Sequence, residues 1–267
     1  LILRGFLCQN KKKKQKKWQI LQKREKTERK QNLPKGGIIM AIYACSDLHG
    51  NWELWLAIKK FLKPEDKMFF LGDAADRGDS GWAILKEMLN DERITYIAGN
   101  HDIMLADRIG NPNSYRIASL HHSNGGFPTW EAAENDPEAK EIMVKIRRLP
   151  KYAVYENADG LKIFMSHSGS TNIDDDEDLI WDRCEYASGS VPAEYDVVVH
   201  GHTTIPHLIK DLKSINHFLE KEKFETDWEG GALWYCNNRC DIDCCTIMTR
   251  QTVLLNLDTF DEEIFEL

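Results

Sequence analysis

The stretch Met68-Phe69-Phe70-Leu71-Gly72-Asp73-Ala74-Ala75-Asp76-Arg77-Gly78 decides how the chain is read. A short apolar run ends in glycine, two aspartates and an arginine, the pattern of a strand opening into a loop of hard-metal ligands. Two further segments repeat it. Upstream, Ile38 to Cys45 leads into Asp47-Leu48-His49-Gly50, and downstream Ile94 to Ala98 leads into Gly99-Asn100-His101-Asp102. Asp47 to Asp73 is 26 positions and Asp73 to Asn100 is 27. That interval holds one βαβ unit, so the three loops are expected at the same carboxyl edge of one sheet. Open α/β sheets build their sites there.

Between the loops the periodicity turns helical. Trp52 to Leu62 is apolar at 52, 54, 55, 58, 61 and 62, one helix face, and Lys63-Pro64 stops it. Ser80 stands where it can cap the next helix, whose apolar positions are Trp82, Ile84, Leu85, Met88 and Leu89. Trp52, Trp55 and Trp82 read as core-facing. Residues 102–149 contain no strand-like run and two helices, near 102–109 and 137–148, flanking His121-His122-Ser123-Asn124-Gly125-Gly126-Phe127-Pro128. This reads as a helical cap over the ligand edge. Tyr152 to Glu156 and Leu161 to Ser166 form a hairpin through Asn157-Ala158-Asp159-Gly160. Val197 to His200 is a strand, 203–240 a long loop, and Ile242 to Met248 with Thr252 to Asn256 a last hairpin. Strands in βαβ order followed by hairpins imply two sheets packed together with helices outside.

The 267 residues are 42% hydrophobic and 29% charged, with no apolar run near the length that spans a bilayer. Leu1 to Leu7 is too short for the apolar region of a secretory signal. A soluble, cytoplasmic protein is expected. The net charge of −8 hides an asymmetry: residues 1–39 carry 13 Lys+Arg against 2 Asp+Glu, and the remaining 228 residues 22 against 41. A body of net charge −19 repels a polyanion, which disfavours nucleic acid as partner. The basic segment 1–39 has no pattern that buries a core and is expected to be disordered or non-native. The favoured reading makes Met40 the start and 1–39 upstream sequence; the alternatives are a solvated tail and an arm for anionic surfaces. Residues 40–267 are then one catalytic domain.

The seven cysteines, Cys8, Cys45, Cys184, Cys236, Cys240, Cys244 and Cys245, are odd in number and lack a C-x2-C knuckle, so reduced structural thiols are expected. The acidic run Asp174-Asp175-Asp176-Glu177-Asp178 lacks the Gly and terminal Glu of a calcium loop and reads as a solvated loop.

Asp-x-His, Gly-Asp-x-x-Asp-Arg-Gly and Gly-Asn-His-Asp, followed by Ser166-His167-Ser168-Gly169 and Gly201-His202-Thr203, resemble the phosphoprotein phosphatase branch of the calcineurin-like metallophosphoesterases. The similarity covers residues 41 to about 256 and is strongest to short bacterial and bacteriophage serine/threonine phosphatases. It implies an α/β/β/α sandwich of four layers, with two mixed sheets, flanking helices and a helical cap at about 102–149. It also implies a centre of two divalent ions, manganese first, with iron or zinc as alternatives. Asp47 and His49 would hold the first ion, Asp73 would bridge both, and Asn100, His167 and His202 would complete the second. Such a pair shares a water whose pKa falls toward neutrality, a hydroxide nucleophile needing no covalent enzyme intermediate. Thr204 stands where relatives outside this branch carry a second histidine; His200 and His207 match no ligand position and read as structural or as supports behind the ligands.

The same resemblance makes His101 the general acid for the leaving alkoxide, with Asp76 orienting it, and places Arg77 and Arg183 on the phosphate oxygens. Asp76 favours a serine/threonine protein phosphatase. The alternative is a diadenosine tetraphosphate hydrolase, suggested by Asp102 in place of Glu and by Asn124-Gly125-Gly126. A non-catalytic phosphate-binding protein predicts lost ligands, and none is lost. The expected partners are a phosphoprotein or small phosphoester, with no membrane. Around Asp243-Cys244-Cys245-Thr246 the chain departs from the family, whose members often carry a glycine-containing turn after an aspartate there.

Overall fold

Two apolar strand sets explain the architecture. In the first, β1 (Ile42–Cys45), β2 (Lys67–Phe70) and β3 (Ile94–Tyr96) pair in parallel. The helices α1 (Trp52–Phe61) and α2 (Gly81–Leu89) make the crossovers. Asn51 caps α1 by accepting from the Leu54 amide, and α1 buries Leu54, Trp55 and Ile58 against the same core as Met68 and Phe70. Each such side chain, fully buried, is worth about 1.5–3 kcal/mol. Ser80 occupies the cap position of α2, yet its side chain makes no cap bond. The computed structural model describes residues 40–183, 191–211, 228–235 and 238–267. The reading of 1–39 and the positions of Cys8, Cys184 and Cys236 lie outside them.

The second set comprises β4 (Tyr152–Glu156), β5 (Lys162–Ser166), β6 (Val197–His200), β7 (Leu233–Tyr235) and β8 (Arg239–Asp241). The β4–β5 hairpin forms as read, with the Asn157 side chain accepting from the Asp159 and Leu161 amides. β5, β6 and β8 run parallel, and the order is β4-β5-β6-β8-β7. Val197, Val198 and Val199 are buried on successive faces, so this sheet is covered on both sides. Outside, α7 (Asp176–Trp181) sets Leu179 on Phe164 and Val198. Inside, Tyr155 lies 6.1 Å from Phe69 of the first sheet. Helices, sheet, sheet and helix make the four-layer α/β/β/α sandwich.

The cap departs from expectation. It holds four helices: α3 (Asn100–Gly110), α4 (Tyr115–Ser123), α5 (Phe127–Ala133) and α6 (Ala139–Arg147). α4 buries only His121, and α5 only Thr129 and Ala133, so neither carries the apolar stripe that announces a helix. The carboxyl end differs too. The expected loop 203–240 contains a helix, α8, described over 205–211, and the short strands β7 and β8. Residues 242–248 are not a strand but lead into α9 (Thr246–Thr249). The last hairpin pairs β9 (Gln251–Asn256) with β10 (Glu262–Glu266), giving the first sheet the order β10-β9-β1-β2-β3. β10 is an edge strand of exposed glutamates, which hid it from an apolar search. The acidic run is the capped start of α7 rather than a loop, with Asp175 accepting from the Glu177 amide. Among the described residues no helix is long and apolar enough to cross a membrane.

Candidate metal centre

The carboxyl ends of β1, β2 and β3 continue their pairing as loops. Asp47 N–H donates to Gly72 O at 3.0 Å, His49 N–H to Asp73 O at 3.1 Å and Gly50 N–H to Ala74 O at 2.9 Å. These bonds hold a backbone that would not otherwise persist. Asp47, His49, Asp73, Asp76, Arg77 and His202 all have positive φ, between 43° and 69°. Each such residue costs on the order of 1–3 kcal/mol, strain that clusters where function fixes a side chain. The second sheet meets them through β5 and β6. Gly201 N–H donates to His167 O, and His202 N–H to Asp47 Oδ2 at 3.1 Å.

All six expected ligands converge. His167 Nε2 lies 3.3 Å from Asp73 Oδ2 and 2.9 Å from Asn100 Oδ1, and His202 Nδ1 lies 3.1 Å from the same amide oxygen. His49 Nε2 is 3.7 Å from Asp47 Oδ1 and 3.9 Å from Asp73 Oδ2. Among the described residues, two groups each bring their ligand atoms within 4.8 Å of one another: His49, Asp73 and His101, and Asp47, Asp73 and His167. Asp73 belongs to both. His49 Nδ1 donates to Ala75 O and His167 Nδ1 to Leu71 O, so each ring turns Nε2 to the centre. Anchoring the far nitrogen on a carbonyl is how metal-ligating histidines are oriented.

The electrostatics ask for cations. Asp47 and Asp73 are buried and adjacent, an arrangement tolerated only with compensating charge. Burial, assisted by Asp73, pushes Asp47 up to about 6. Burial works against charge on His167 as well, but Asp73 and Asp47 outweigh it and push the imidazole up to about 10. His49 goes the other way, to about 3, chiefly through burial. Its neutral Nε2 faces a guanidinium: Arg77 Nη1 is 2.8 Å away, and Arg77 Nη2 is 2.9 Å from His101 Nε2. Carboxylates, an amide oxygen and imidazole nitrogens pointing at one small volume match the mixed N/O set of Mn, Fe or Zn sites.

The acid–base pair stands beside this centre. His101 Nδ1 donates to Asp76 Oδ2 at 2.8 Å, and both residues are buried. Arg183 is exposed after α7, and its Nη1 donates to Thr203 Oγ1 at 3.3 Å, next to His202. Three residues without an assigned role from sequence also matter. Asp102 accepts from the Gly99 and Asp73 amides and from Tyr96 Oη, tying the second and third loops together. Thr129 Oγ1 accepts from the Asp76 amide. His121 Nε2 reaches Asp76 Oδ1 at 2.9 Å and Oδ2 at 3.0 Å.

His200 and His207 stay outside, as expected. His200 bonds Tyr235 Oη at 2.7 Å, and His207 pairs with Asp211 on the surface. Cys45, Cys240 and Cys244 are buried free thiols, and burial raises all three, Cys45 to about 12. Such thiols are inert. Trp55 and Trp82 are core residues, and Trp234 packs edge-on against Phe260.

A family model described as calcineurin-like phosphoesterase matches residues 40–219. No curated protein matches the sequence. Among solved structures, one assigned as a diadenosine tetraphosphatase is 14% identical, over 87% of this chain and 95% of its own, with a TM-score of 0.54. A metallophosphoesterase from Sphaerobacter thermophilus is 14% identical, over 85% and 88%, with a TM-score of 0.54. At such identity the likeness shows the fold alone.

Proposed function

The chain belongs to the calcineurin-like phosphoesterase family, and on that premise we propose that it is a metal-dependent phosphomonoesterase acting on phosphoserine and phosphothreonine in proteins. The observation that carries this reading is the buried Asp76–His101 hydrogen bond of 2.8 Å beside the shared carboxylate of Asp73. Asp47, His49, Asp73, Asn100, His167 and His202 would hold two divalent ions, with manganese the best match. Those ions, when bound, supply Lewis acidity at the phosphoryl oxygens and an acidified water.

The chain's own residues do the rest. Asp76 holds His101 by its Nδ1–H, which leaves Nε2, the atom that accepts from Arg77 Nη2 at 2.9 Å here, as the one that would pass a proton to the leaving alkoxide. Burial alone would raise Asp76, but the hydrogen bonds from His101 and His121 hold its carboxyl below the usual range. It therefore stays an acceptor. Arg77 already places a guanidinium beside His49 and His101, where its planar donors suit phosphate oxygens. Arg183 approaches from the other sheet beside His202.

A second reading, hydrolysis of a dinucleoside polyphosphate, has one observation in its favour. Arg108 lies 4.2 Å over the Trp130 ring at a cap cavity of about 350 Å³ that Tyr115, His121 and Phe127 also line. Planar rings of that kind suit a nucleobase. Turnover of a phosphothreonine peptide and of diadenosine tetraphosphate, side by side with manganese, separates the two. Faster turnover of the peptide is expected, lost on chelation and restored by manganese. Strong preference for the dinucleotide overturns the first reading, and turnover of neither returns the chain to a phosphate-binding role.

A further inference from the structure

Asp76 receives two imidazoles, not one. His101 Nδ1 comes from the start of α3 and binds Oδ2 at 2.8 Å, while His121 Nε2 comes from α4 and spans both oxygens at 2.9 and 3.0 Å. All three side chains are buried. A carboxylate offers only acceptors, so each facing nitrogen carries hydrogen and both tautomers are set by the same group. The cap grips the backbone here as well: Asp76 N–H donates to Thr129 Oγ1 at 2.8 Å and Arg77 N–H to Gly125 O at 2.8 Å. These contacts hold two residues whose φ values, 69° and 67°, are left-handed.

The Gly125-Gly126 pair makes the grip possible. Gly125 has φ +87°, which turns its carbonyl onto Arg77. A Cβ on Gly126 would meet the His121 ring at 2.2 Å. The His121 imidazole thus lies against the glycine backbone on one side and Asp76 on the other.

We propose that His121 is a positioning residue that clamps the Asp76 carboxylate so that it orients His101 for protonation of the leaving group. This rests on the reading of His101 as general acid. A histidine that merely fills the cap would affect all substrates alike. One that acts through Asp76 affects those whose leaving group needs a proton.

The test compares His121→Leu, His121→Gln and Gly126→Ala in the full chain with manganese, on a phosphothreonine peptide and on p-nitrophenyl phosphate. Outer partners of this kind are worth about 10–100-fold. His121→Leu is expected to lose that much kcat on the peptide, much less on p-nitrophenyl phosphate, with KM little changed. His121→Gln, whose amide can still donate to Asp76, should recover most of the loss. Gly126→Ala, which displaces the ring and leaves His121 in place, should repeat the His121→Leu pattern. In a His101→Asn background, His121→Leu should add nothing. Equal losses on both substrates, or additive losses in the double variant, overturn the proposal. If His101→Asn alone shows no dependence on the leaving group, the general-acid reading fails first and this inference with it. Bound manganese and thermal unfolding, measured on each variant, separate these results from misfolding, and a folded His121→Leu with unchanged substrate ratio also overturns the clamp.

Discussion

The two sheets deliver ligands in different ways. In the first, β1, β2 and β3 are joined by single helices, and the segment after each strand is a contiguous motif carrying two or more functional side chains. In the second, β5 and β6 each supply one histidine, and the third parallel strand, β8, leads to Asp243, which is buried near Asp47 and matches no expected ligand. The first edge is assembled by local chain geometry. The second depends on how two sheets pack, shown by bonds that cross between them: His167 Nδ1 to Leu71 O and His202 N–H to Asp47 Oδ2.

The largest expected effect breaks the comparison at its centre. Asp73→Asn removes the carboxylate shared by both ligand sets. It should abolish measurable turnover, beyond the ~10⁴-fold ceiling of a single acid–base group. Residual activity near wild type would show that Asp73 bridges nothing.

Next, His101→Asn tests a side chain held wholly by the first sheet and the cap. It should lower kcat by about 10²–10⁴-fold on alkyl phosphates and far less on p-nitrophenyl phosphate, whose leaving group needs little protonation. Equal losses would remove His101 from that role.

Two glycines sharpen the contrast between the edges. A Cβ on Gly99 would lie 2.1 Å from Asp73 Oδ1, and a Cβ on Gly201, just after β6 of the other sheet, 2.1 Å from Asp47 Oδ2. Each substitution to alanine must push a ligand carboxylate aside, with an expected loss of about 10–100-fold in manganese affinity. Titration calorimetry on both variants would show whether the second sheet positions ligands as strictly as the first; an unaffected Gly201→Ala would deny it.

The smallest effect concerns the seam. Tyr155 Oη donates to Asp258 Oδ1 at 2.8 Å, linking β4 to the β9–β10 turn. Tyr155→Phe should cost about 1 kcal/mol in chemical denaturation with kcat unchanged. A fall in turnover would mean that the seam transmits strain to the metal centre.

Legibility followed the same division. The three motifs, the crossover helices and the β4–β5 hairpin were visible because period, spacing and turn residues are local. α4 and α5 were not, because α4 buries only His121, on Asp76, and α5 only Thr129, on the Asp76 amide, and Ala133, in the core, too few to make an apolar stripe. β10 was missed because an exposed edge of glutamates carries no apolar alternation, and β7 and β8 because three residues are too few to show a period. His121 stood in the open as one of two adjacent histidines, and nothing local separated it from His122.

From its residues alone the chain determined which atoms can bind cations and phosphate, and in which order strands present them, since ligand chemistry and βαβ spacing are properties of short segments. Only the tertiary structure decided that His121 and Thr129 close around Asp76, that Asp102 knots two loops and that the second sheet's histidines meet the first sheet's carboxylates. Those pairings join positions tens to more than a hundred residues apart, and buried polar groups select their partners only once packing has excluded water.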